Sequence, residues 1–162
     1  MKRNICVIFA IFAFFLGSFV QLIAQNATPV SDFRYMINAD CTGIVIKRYK
    51  GREKDVIIPS TIENYPVVEL FTLAFYNNYY LESITIPNSV KKIGGFTFAM
   101  CSKLKTVNIG ANNIEYTNEI PFFGIVGTYA THPSGNMAFM DCVALSLEEQ
   151  KKIRRTGYKG YF

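Results

Sequence analysis

Short runs in which apolar and polar residues alternate recur along the chain and predict β-strands. The clearest run is 83–86, where two isoleucines alternate with Ser and Thr at the period of a half-buried strand. Pro87 ends this strand because proline has no N–H with which to continue a ladder. Residues 56–59 and 107–110 match residues 84–87, with glycine in place of the proline in the second of them. The chain therefore contains three equivalent strands.

A second pattern follows these strands and sets the length of one repeat. The segments are AFYNNYYL (74–81), TFAMCSKL (97–104) and AFMDCVAL (138–145). Phe75 and Phe98 are 23 residues apart, and Phe139 follows after 41, which is one period plus an 18-residue insertion. A coil of this length cannot bury its own apolar face, so the coils must stack. The pattern predicts a β-rich solenoid of about three coils with short strands and helical turns.

Stacking places equivalent residues of successive coils above one another, as ladders inside the solenoid. One ladder holds the three phenylalanines, and another holds Asn78, Cys101 and Cys142. Asn78 is expected to bond to backbone groups of the next coil, and the cysteines to pack as small apolar residues. A Cys101–Cys142 disulfide is the alternative, although ladder neighbours ~5 Å apart have side chains that run parallel. We favour two buried, reduced thiols.

Both ends of the solenoid carry patterns that are typical of caps. Near the N-terminus, alternation over 33–49 predicts a β-hairpin that turns at 39–43. Near the C-terminus, Ser146 and Glu149 match a capping box at the start of a short helix, and Gly157 suits its left-handed C-cap. The following tail is expected to fold over the last coil. Caps of this kind close the terminal coils of a solenoid.

The first residues of the chain predict export. Lys2 and Arg3 precede an apolar run that ends near Ala24, which is the arrangement of a secretory signal peptide. We therefore assign 1–24 as a signal peptide and 25–162 as one folded domain with no stable membrane span. An uncleaved anchor is the alternative, but the apolar run falls short of the ~20 residues that a span needs.

Composition narrows the classes of partner and cofactor. Without Lys2 and Arg3 the formal net charge falls from +5 to +3, which is too small to predict nucleic-acid binding. Three cysteines remain after cleavage, and no C-x-x-C pair indicates a zinc or redox site. The sequence predicts neither a metal nor a cofactor.

Longer segments around the repeats carry a family resemblance. They are ITIPNSVKKIGGFTFAMCSKL (84–104), IIPSTIENYPVVELFTLAF (57–75) and residues 138–145. They resemble the BspA-like class of bacterial leucine-rich repeats, and the resemblance covers about 40–162. It implies a leucine-rich-repeat solenoid that is secreted or displayed on the cell surface, in a class where some members are adhesins for host matrix proteins or other cells. This chain is shorter than many adhesins, so its concave face offers less contact area.

Two sets of residues are candidates for binding a partner. The first is the cluster Tyr76, Tyr79 and Tyr80, because tyrosine buries much area at interfaces at little entropic cost. The second lies on the predicted outer face of the strands and contains Thr85, Lys91, Lys92, Lys105 and Asn108. The tyrosines could equally cover the edge of a coil, and the strand residues could form an ordinary solvated face.

Three residues of the chain raise the alternative of an enzyme. His132 is the only histidine and lies in the insertion at 110–136, a long segment that could bind a partner or only pack on the coils. With Asp141 and Cys142 it suggests a cysteine hydrolase, but Cys142 belongs to a buried ladder and a nucleophile needs exposure. The chain is thus predicted not to be an enzyme.

These observations predict an exported binding module, adhesin-like, that mediates protein–protein or cell-surface interaction. Its partner is an unidentified macromolecule, such as a host matrix protein or a bacterial surface protein, because no residue pattern names a ligand. A periplasmic structural or scaffold protein is the alternative function.

Overall fold

The computed structural model describes residues 27–117 and 136–162, and these form a β-solenoid of about three coils with one C-terminal helix. The predicted fold class is confirmed. The predicted signal peptide and most of the insertion, including His132, lie outside the described residues. The division into 1–24 and 25–162 therefore stays a prediction.

Short strands make up most of the regular structure, because each coil turns after a few residues. In chain order the described elements are β1 (Phe33–Ile37), β2 (Ile44–Tyr49), β3 (Asp55–Ile57), β4 (Thr61–Ile62), β5 (Tyr65–Leu70), β6 (Ser83–Ile86), β7 (Lys92–Ile93), β8 (Thr106–Ile109), β9 (Glu115–Tyr116) and α1 (Leu147–Arg155). A single 3-10 turn, Val30–Asp32, precedes β1.

The strands form two sheets, to which successive coils add one strand each. The long sheet runs β1-β2-β5-β7-β9, with β4 attached to β5, and the short sheet runs β3-β6-β8. Only β1–β2 and β4–β5 pair antiparallel among the described strands, and β1–β2 is the hairpin that the sequence predicts. In the short sheet Val56, Ile84 and Val107 are register partners, as the repeat predicts.

The segments after β5 and β7 consist of consecutive tight turns. The Tyr76 N–H donates to the Leu73 carbonyl and the Asn78 N–H to the Phe75 carbonyl, both at 3.2 Å. Leu73 and Asn77 have left-handed φ angles of 63° and 55°. The equivalent residues of the next coil, Phe96 and Met100, have φ angles of 57° and 62°. The predicted helical turns are thus tight turns with left-handed residues, and neighbouring coils hold these residues in place.

An aromatic column runs through the core and ties the coils together. Its ring centroids are 5.3 Å apart from Tyr49 to Phe75, 5.2 Å from Phe75 to Phe98, and 5.1 Å from Phe98 to Phe139. Phe33 of the hairpin adds a fifth ring at 5.3 Å from Tyr49. Since stacked aromatic rings gain energy beyond the area they bury, this column stabilises the contact between every pair of coils.

The C-terminal helix closes the last coil through one carboxylate. Ser146 is its N-cap, and its hydroxyl accepts the Glu149 N–H at 3.3 Å. Glu149 does not reach back to Ser146 as a complete capping box requires. Its carboxylate accepts the Val107 N–H of β8 at 3.3 Å and pairs with Lys152 at 2.5 Å. Because β8 is the last strand of the short sheet, Glu149 occupies a backbone donor that would otherwise be open to another strand.

The edge at the opposite end of the short sheet is closed in a similar way. The Thr28 hydroxyl accepts the Ile57 N–H of β3 at 2.9 Å, and the Thr28 N–H donates to the Ile57 carbonyl at 2.9 Å. Both terminal strands of this sheet therefore have backbone groups that are bound by residues outside it. Such blocking opposes edge-to-edge association between copies of the chain.

The C-terminal tail folds over the last coil, as the sequence predicts. Gly157 has a φ of +105°, which lets the chain leave the helix in a left-handed conformation. Tyr158 is then buried against Phe139, with ring centroids 5.2 Å apart, and Phe162 also packs on Phe139 at 6.2 Å. The tail thus covers the final ring of the aromatic column.

Candidate functional site

A small groove opens where the end of β2 meets the turns of the following coil. It has a volume of about 200 Å³ and is lined by residues 48–52 and 74–80. The two segments lie side by side because the Tyr49 N–H donates to the Ala74 carbonyl at 2.8 Å. We call this feature the tyrosine groove, since it contains all three tyrosines that the sequence offers as a binding cluster.

The three tyrosines that the sequence predicts as a binding cluster differ in the exposure and contacts of their side chains. Tyr79 has 53% of its surface exposed and lies against Tyr80, with ring centroids 4.3 Å and hydroxyl oxygens 3.2 Å apart. That hydrogen bond raises the pKa of the Tyr79 hydroxyl above its ordinary value. Tyr76 is half-buried, and its hydroxyl lies 3.1 Å from the Met100 sulfur of the next coil. Tyr79 and Tyr80 therefore present the accessible aromatic surface, while Tyr76 also bridges two coils.

The wall of the groove opposite the tyrosines is basic, which the sequence analysis does not anticipate. Arg48, Lys50 and Arg52 line it and are exposed. The Arg52 guanidinium lies 5.7 Å from the centroid of the Tyr80 ring, within the range of a cation–π contact. The basic run KRYKGREK (47–54) indicates a cluster of cations in the sequence. The sequence around it does not predict that these cations lie beside tyrosines one coil later.

Asn78 shapes the turn that carries the tyrosines, and its predicted bond to the next coil is wrong. Its side-chain oxygen accepts the N–H groups of Tyr80 at 3.0 Å and Leu81 at 3.2 Å, all within its own coil. The reason is local: a short amide side chain bonds most easily to the backbone two and three residues further on. Asn78 is thus a turn residue that fixes where Tyr80 lies.

Three of the predicted binding residues, Lys105, Thr85 and Asn108, lie at the short sheet. Each has a side-chain partner there. Lys105 pairs with Glu82 at 2.8 Å, and Lys54 pairs with the same carboxylate at 3.5 Å. Glu82 has its pKa lowered by the Lys105 ammonium first and by Lys54 as well. Thr85 and Asn108 are register partners with side chains 3.5 Å apart. This row forms an ion-paired, solvated face.

Lys91 and Lys92 lie elsewhere, at the long sheet. Lys92 pairs with Glu69 at 3.8 Å, and the Lys91 ammonium donates to the Asn88 carbonyl at 3.0 Å. The predicted binding residues are therefore divided among three places: the tyrosine groove, the short sheet and the long sheet. The three tyrosines share the tyrosine groove, whereas Thr85 and Asn108 line a different groove.

A second, wider groove of about 550 Å³ lies between the end of the short sheet and α1. Thr85 and Asn108 line it, together with Lys152 and Arg155 of the helix. Its charge is partly neutralised because Lys152 is bound to Glu149. Gly110 and Asn112, which also line it, lead into the part of the insertion that is not described.

The cysteines of the second ladder are free thiols in the core. Cys101 and Cys142 are buried, and their sulfurs lie 3.2 Å from the Phe75 carbonyl and 3.1 Å from the Phe98 carbonyl of the preceding coil. Burial raises the pKa of the Cys101 thiol to about 12. Burial, and then the neighbouring Cys101, raise the pKa of Cys142 further above its ordinary range. Both thiols are poor nucleophiles, because the thiolate is the reactive form.

Thiol labelling of the native protein is expected to modify Cys41 and to spare Cys101 and Cys142. Cys41 is exposed, whereas the other two are buried and protonated near neutral pH. The measurement is alkylation with iodoacetamide with and without denaturant, followed by mass spectrometry of the peptides. Unfolded protein is the control and should be modified at all three positions. A native Cys142 that reacts as fast as Cys41 would contradict the buried ladder.

Metal binding and membrane insertion can be assessed only for the described residues. Within residues 27–117 and 136–162 no group of three or more His, Cys, Asp or Glu side chains is arranged to hold a metal ion. In the same residues no helix is both long and apolar enough to cross a bilayer.

The repeats are similar to a known family. Residues 68–146 match the model of the BspA type leucine rich repeat region in six copies. No curated protein has a significant sequence match to the chain.

Several solved bacterial structures have the same fold. A leucine rich repeat protein of T. pallidum aligns over 85% of this chain and 99% of its own, with 21% identity and a TM-score of 0.54. A leucine rich cell surface protein of Faecalibacterium prausnitzii A2-165 has 27% identity and a TM-score of 0.54 over 74% of this chain. A leucine-rich repeat protein of Bacteroides ovatus ATCC 8483 has 23% identity and a TM-score of 0.51 over 74% of this chain. The present chain spans only 29% and 28% of the last two proteins.

Proposed function

Since the repeats at residues 68–146 belong to the BspA-type leucine-rich repeats, we propose that this chain is an exported module that binds another protein through its tyrosine groove. The family consists of bacterial surface-type proteins that generally bind proteins. The function is therefore argued from a binding surface and not from a reactive centre.

The contact between exposed Tyr79 and half-buried Tyr80 is the observation that supports this use of the groove. Tyrosine is enriched at protein interfaces because a rigid ring buries a large area while its hydroxyl keeps a polar partner. Arg52, stacked near Tyr80, adds a second residue type that is common among binding hot spots. The ion-paired short sheet offers no comparable cluster, since its lysines are engaged by Glu82.

Location on the cell surface is the second part of the proposal. Residues 1–24 have the features of a signal peptide, and the Faecalibacterium prausnitzii relative is described as a cell surface protein. An adhesin-like role would follow from display on the outside. A periplasmic scaffold would share the export signal but would never meet an external partner.

The location is tested by treating intact cells with a protease that cannot cross the envelope. An immunoblot for the protein is compared between intact and lysed cells. Loss of the band from intact cells is the expected result. Loss only after lysis would instead support the periplasmic scaffold, provided that a cytoplasmic control protein also survives in the intact cells.

Binding is tested with purified protein carrying Tyr79→Ser and Tyr80→Ser together. Immobilised host matrix proteins and whole bacterial cells serve as targets, and bound protein is quantified by surface plasmon resonance or on the cells. Loss of two aromatic contacts is expected to weaken binding at least ~30-fold, the effect of about 2 kcal/mol at a hot spot.

A matched control removes exposed apolar surface elsewhere. Val143 and Leu147 are 79% and 75% exposed, and the double change Val143→Ser and Leu147→Ser leaves the groove intact. This control is expected to bind like the parent. Equal binding by the parent and by the tyrosine variant would exclude the groove as the contact surface.

A further inference from the structure

The cations around the tyrosine groove have no carboxylate partner among the described residues. Arg48, Lys50 and Arg52 line the groove, and Arg34 lies beside it. Within residues 27–117 and 136–162 none of the four forms a salt bridge with a carboxylate. Among the described residues that line the groove, none is acidic. The groove therefore has a net positive charge that the described part of the chain does not neutralise.

Several lysines elsewhere in the molecule form salt bridges with carboxylates. Lys54 and Lys105 share the Glu82 carboxylate, and Lys92 pairs with Glu69. These pairs connect neighbouring coils along a sheet. These three lysines thus have carboxylate partners, whereas the described residues that line the groove include no carboxylate.

Arg34 and Arg48 lie opposite each other on neighbouring strands, which places two positive charges close together. The two residues are direct partners in the antiparallel pairing of β1 and β2, and both are exposed. Their neighbours Phe33 and Tyr49 are also direct partners and point into the core, so the two arginines share the outer face. Like charges directly opposite each other destabilise a strand pair. A bound anion would relieve this repulsion.

The size of the groove limits what can supply that anion. Its volume of about 200 Å³ is below the range usual for small-molecule sites, which is ~300–1,000 Å³. It suits one or two side chains of a partner segment. The exposed amide of Asn77 lies among the lining residues and can both donate to and accept from a peptide backbone. Tyr79 and Tyr80 add the aromatic surface on which a short segment can lie.

Two acidic residues lie near the inner side of the groove. Asp32 and Glu53 are close enough to Tyr49 to raise the pKa of its buried hydroxyl, although burial is the larger cause. Neither forms a salt bridge with the four cations, and neither lines the groove. They reduce the positive field without cancelling it, because four cations face two carboxylates.

We infer that the partner of the tyrosine groove is an acidic segment of a polypeptide, whose carboxylates meet Arg48, Arg52 and the adjoining Arg34 and Lys50. This inference rests on the proposed function because it concerns the same groove. Arginine suits the role, since its planar guanidinium binds a carboxylate through two parallel hydrogen bonds. The tyrosines supply contact area, and the cations select for charge.

The inference is tested by fluorescence anisotropy with dye-labelled peptides and the purified protein. The acidic probe alternates Glu and Gly, and the neutral probe has Gln in place of every Glu. The acidic probe is expected to bind at least about tenfold more tightly than the neutral probe. Its affinity should fall as salt rises from ~50 to ~500 mM, because added salt shortens the Debye length and screens the charges.

Charge reversal within the groove provides the second arm of the test. Arg48→Glu with Arg52→Glu is expected to weaken binding of the acidic peptide about tenfold or more, because two attractions become repulsions. The matched control, Lys151→Glu with Lys159→Glu, changes the net charge equally at exposed positions of α1 and the tail. It should leave the affinity within about twofold of the parent, since these positions are remote from the groove. Melting curves confirm that all variants are folded.

The outcomes separate this inference from the proposed function. Equal binding of the acidic and neutral probes that is lost with Tyr79→Ser and Tyr80→Ser would overturn the acidic partner while keeping the groove as a peptide site. Binding of a heparin oligosaccharide but of neither peptide would also overturn it, in favour of a sulfated glycan. No binding of any probe would overturn it as well, and the assay with matrix proteins and cells would then decide on the proposed function separately.

Discussion

Replacing Phe98 with alanine is expected to lower the free energy of unfolding by about 3–5 kcal/mol. Phe98 is fully buried in the middle of the aromatic column, with Phe75 at 5.2 Å on one side and Phe139 at 5.1 Å on the other. The change therefore leaves a cavity and removes two ring contacts at once. Because small domains are stable by only ~5–15 kcal/mol, a loss of this size threatens the fold of a three-coil solenoid.

The measurement is urea denaturation followed by circular dichroism, with the midpoint and slope compared between variant and parent. Val143→Ala is the control, because it also shortens an apolar side chain but at a position that is 79% exposed. Its effect should stay below about 0.5 kcal/mol, as is usual for surface changes. A Phe98→Ala protein that unfolds at the parent's urea midpoint would show that the column contributes little to stability.

Removing the Tyr158 hydroxyl by Tyr158→Phe is expected to cost about 1–3 kcal/mol, since it leaves buried polar groups without partners. The hydroxyl accepts the Phe139 N–H at 3.4 Å and can donate to the carbonyl of Asn136 at 2.9 Å or of Tyr161 at 2.5 Å. Burial raises the pKa of Tyr158 well above its ordinary value, so the hydroxyl keeps its proton and can donate. The Tyr158 hydroxyl thus adds hydrogen bonds to the ring contacts that hold the tail on the last coil.

Tyr65→Phe is the matched control for this change. Tyr65 packs against the core, but its hydroxyl makes no hydrogen bond within the described residues. Thermal unfolding of the two variants should differ clearly, with the larger loss for Tyr158→Phe. Hydrogen exchange at the amides of Phe139 and its neighbours should also accelerate only in that variant. Equal stability of both variants would mean that apolar contacts alone hold the tail.

The repeat architecture could be read from the sequence because its causes are local. Strand periodicity, a proline or glycine at the strand end and a phenylalanine at a fixed position recur in each coil. Equivalent residues of stacked coils must lie side by side, so the partners Val56, Ile84 and Val107 followed directly from the spacing. The spacing also predicted the three phenylalanines of the aromatic column. It did not predict Tyr49, which joins the column because the hairpin stacks on the repeats.

Details of hydrogen bonding were less predictable because several partners compete for one polar side chain. Asn78 bonds to its own turn instead of to the next coil, since the near backbone N–H groups are geometrically available first. The capping box predicts that the Glu149 carboxylate accepts from the Ser146 N–H. It accepts from the Val107 N–H instead, because β8 lies beside the helix. Left-handed backbone at Leu73 and Phe96 had no signal at all, because neither residue is glycine.

The sequence by itself determined the length of the repeat, the pairing of the strands, the buried phenylalanines and the capped ends of this protein. Each of these depends on residue patterns within one coil and on the requirement that coils stack. Only the tertiary structure decided that Arg48 and Arg52 face Tyr79 and Tyr80, and that Arg34 lies opposite Arg48. Those residues come from different coils or strands, and their distance depends on the path of the turns between them. Local preference alone does not fix that path, because hydrogen bonds between coils hold the turns together with bonds inside each turn.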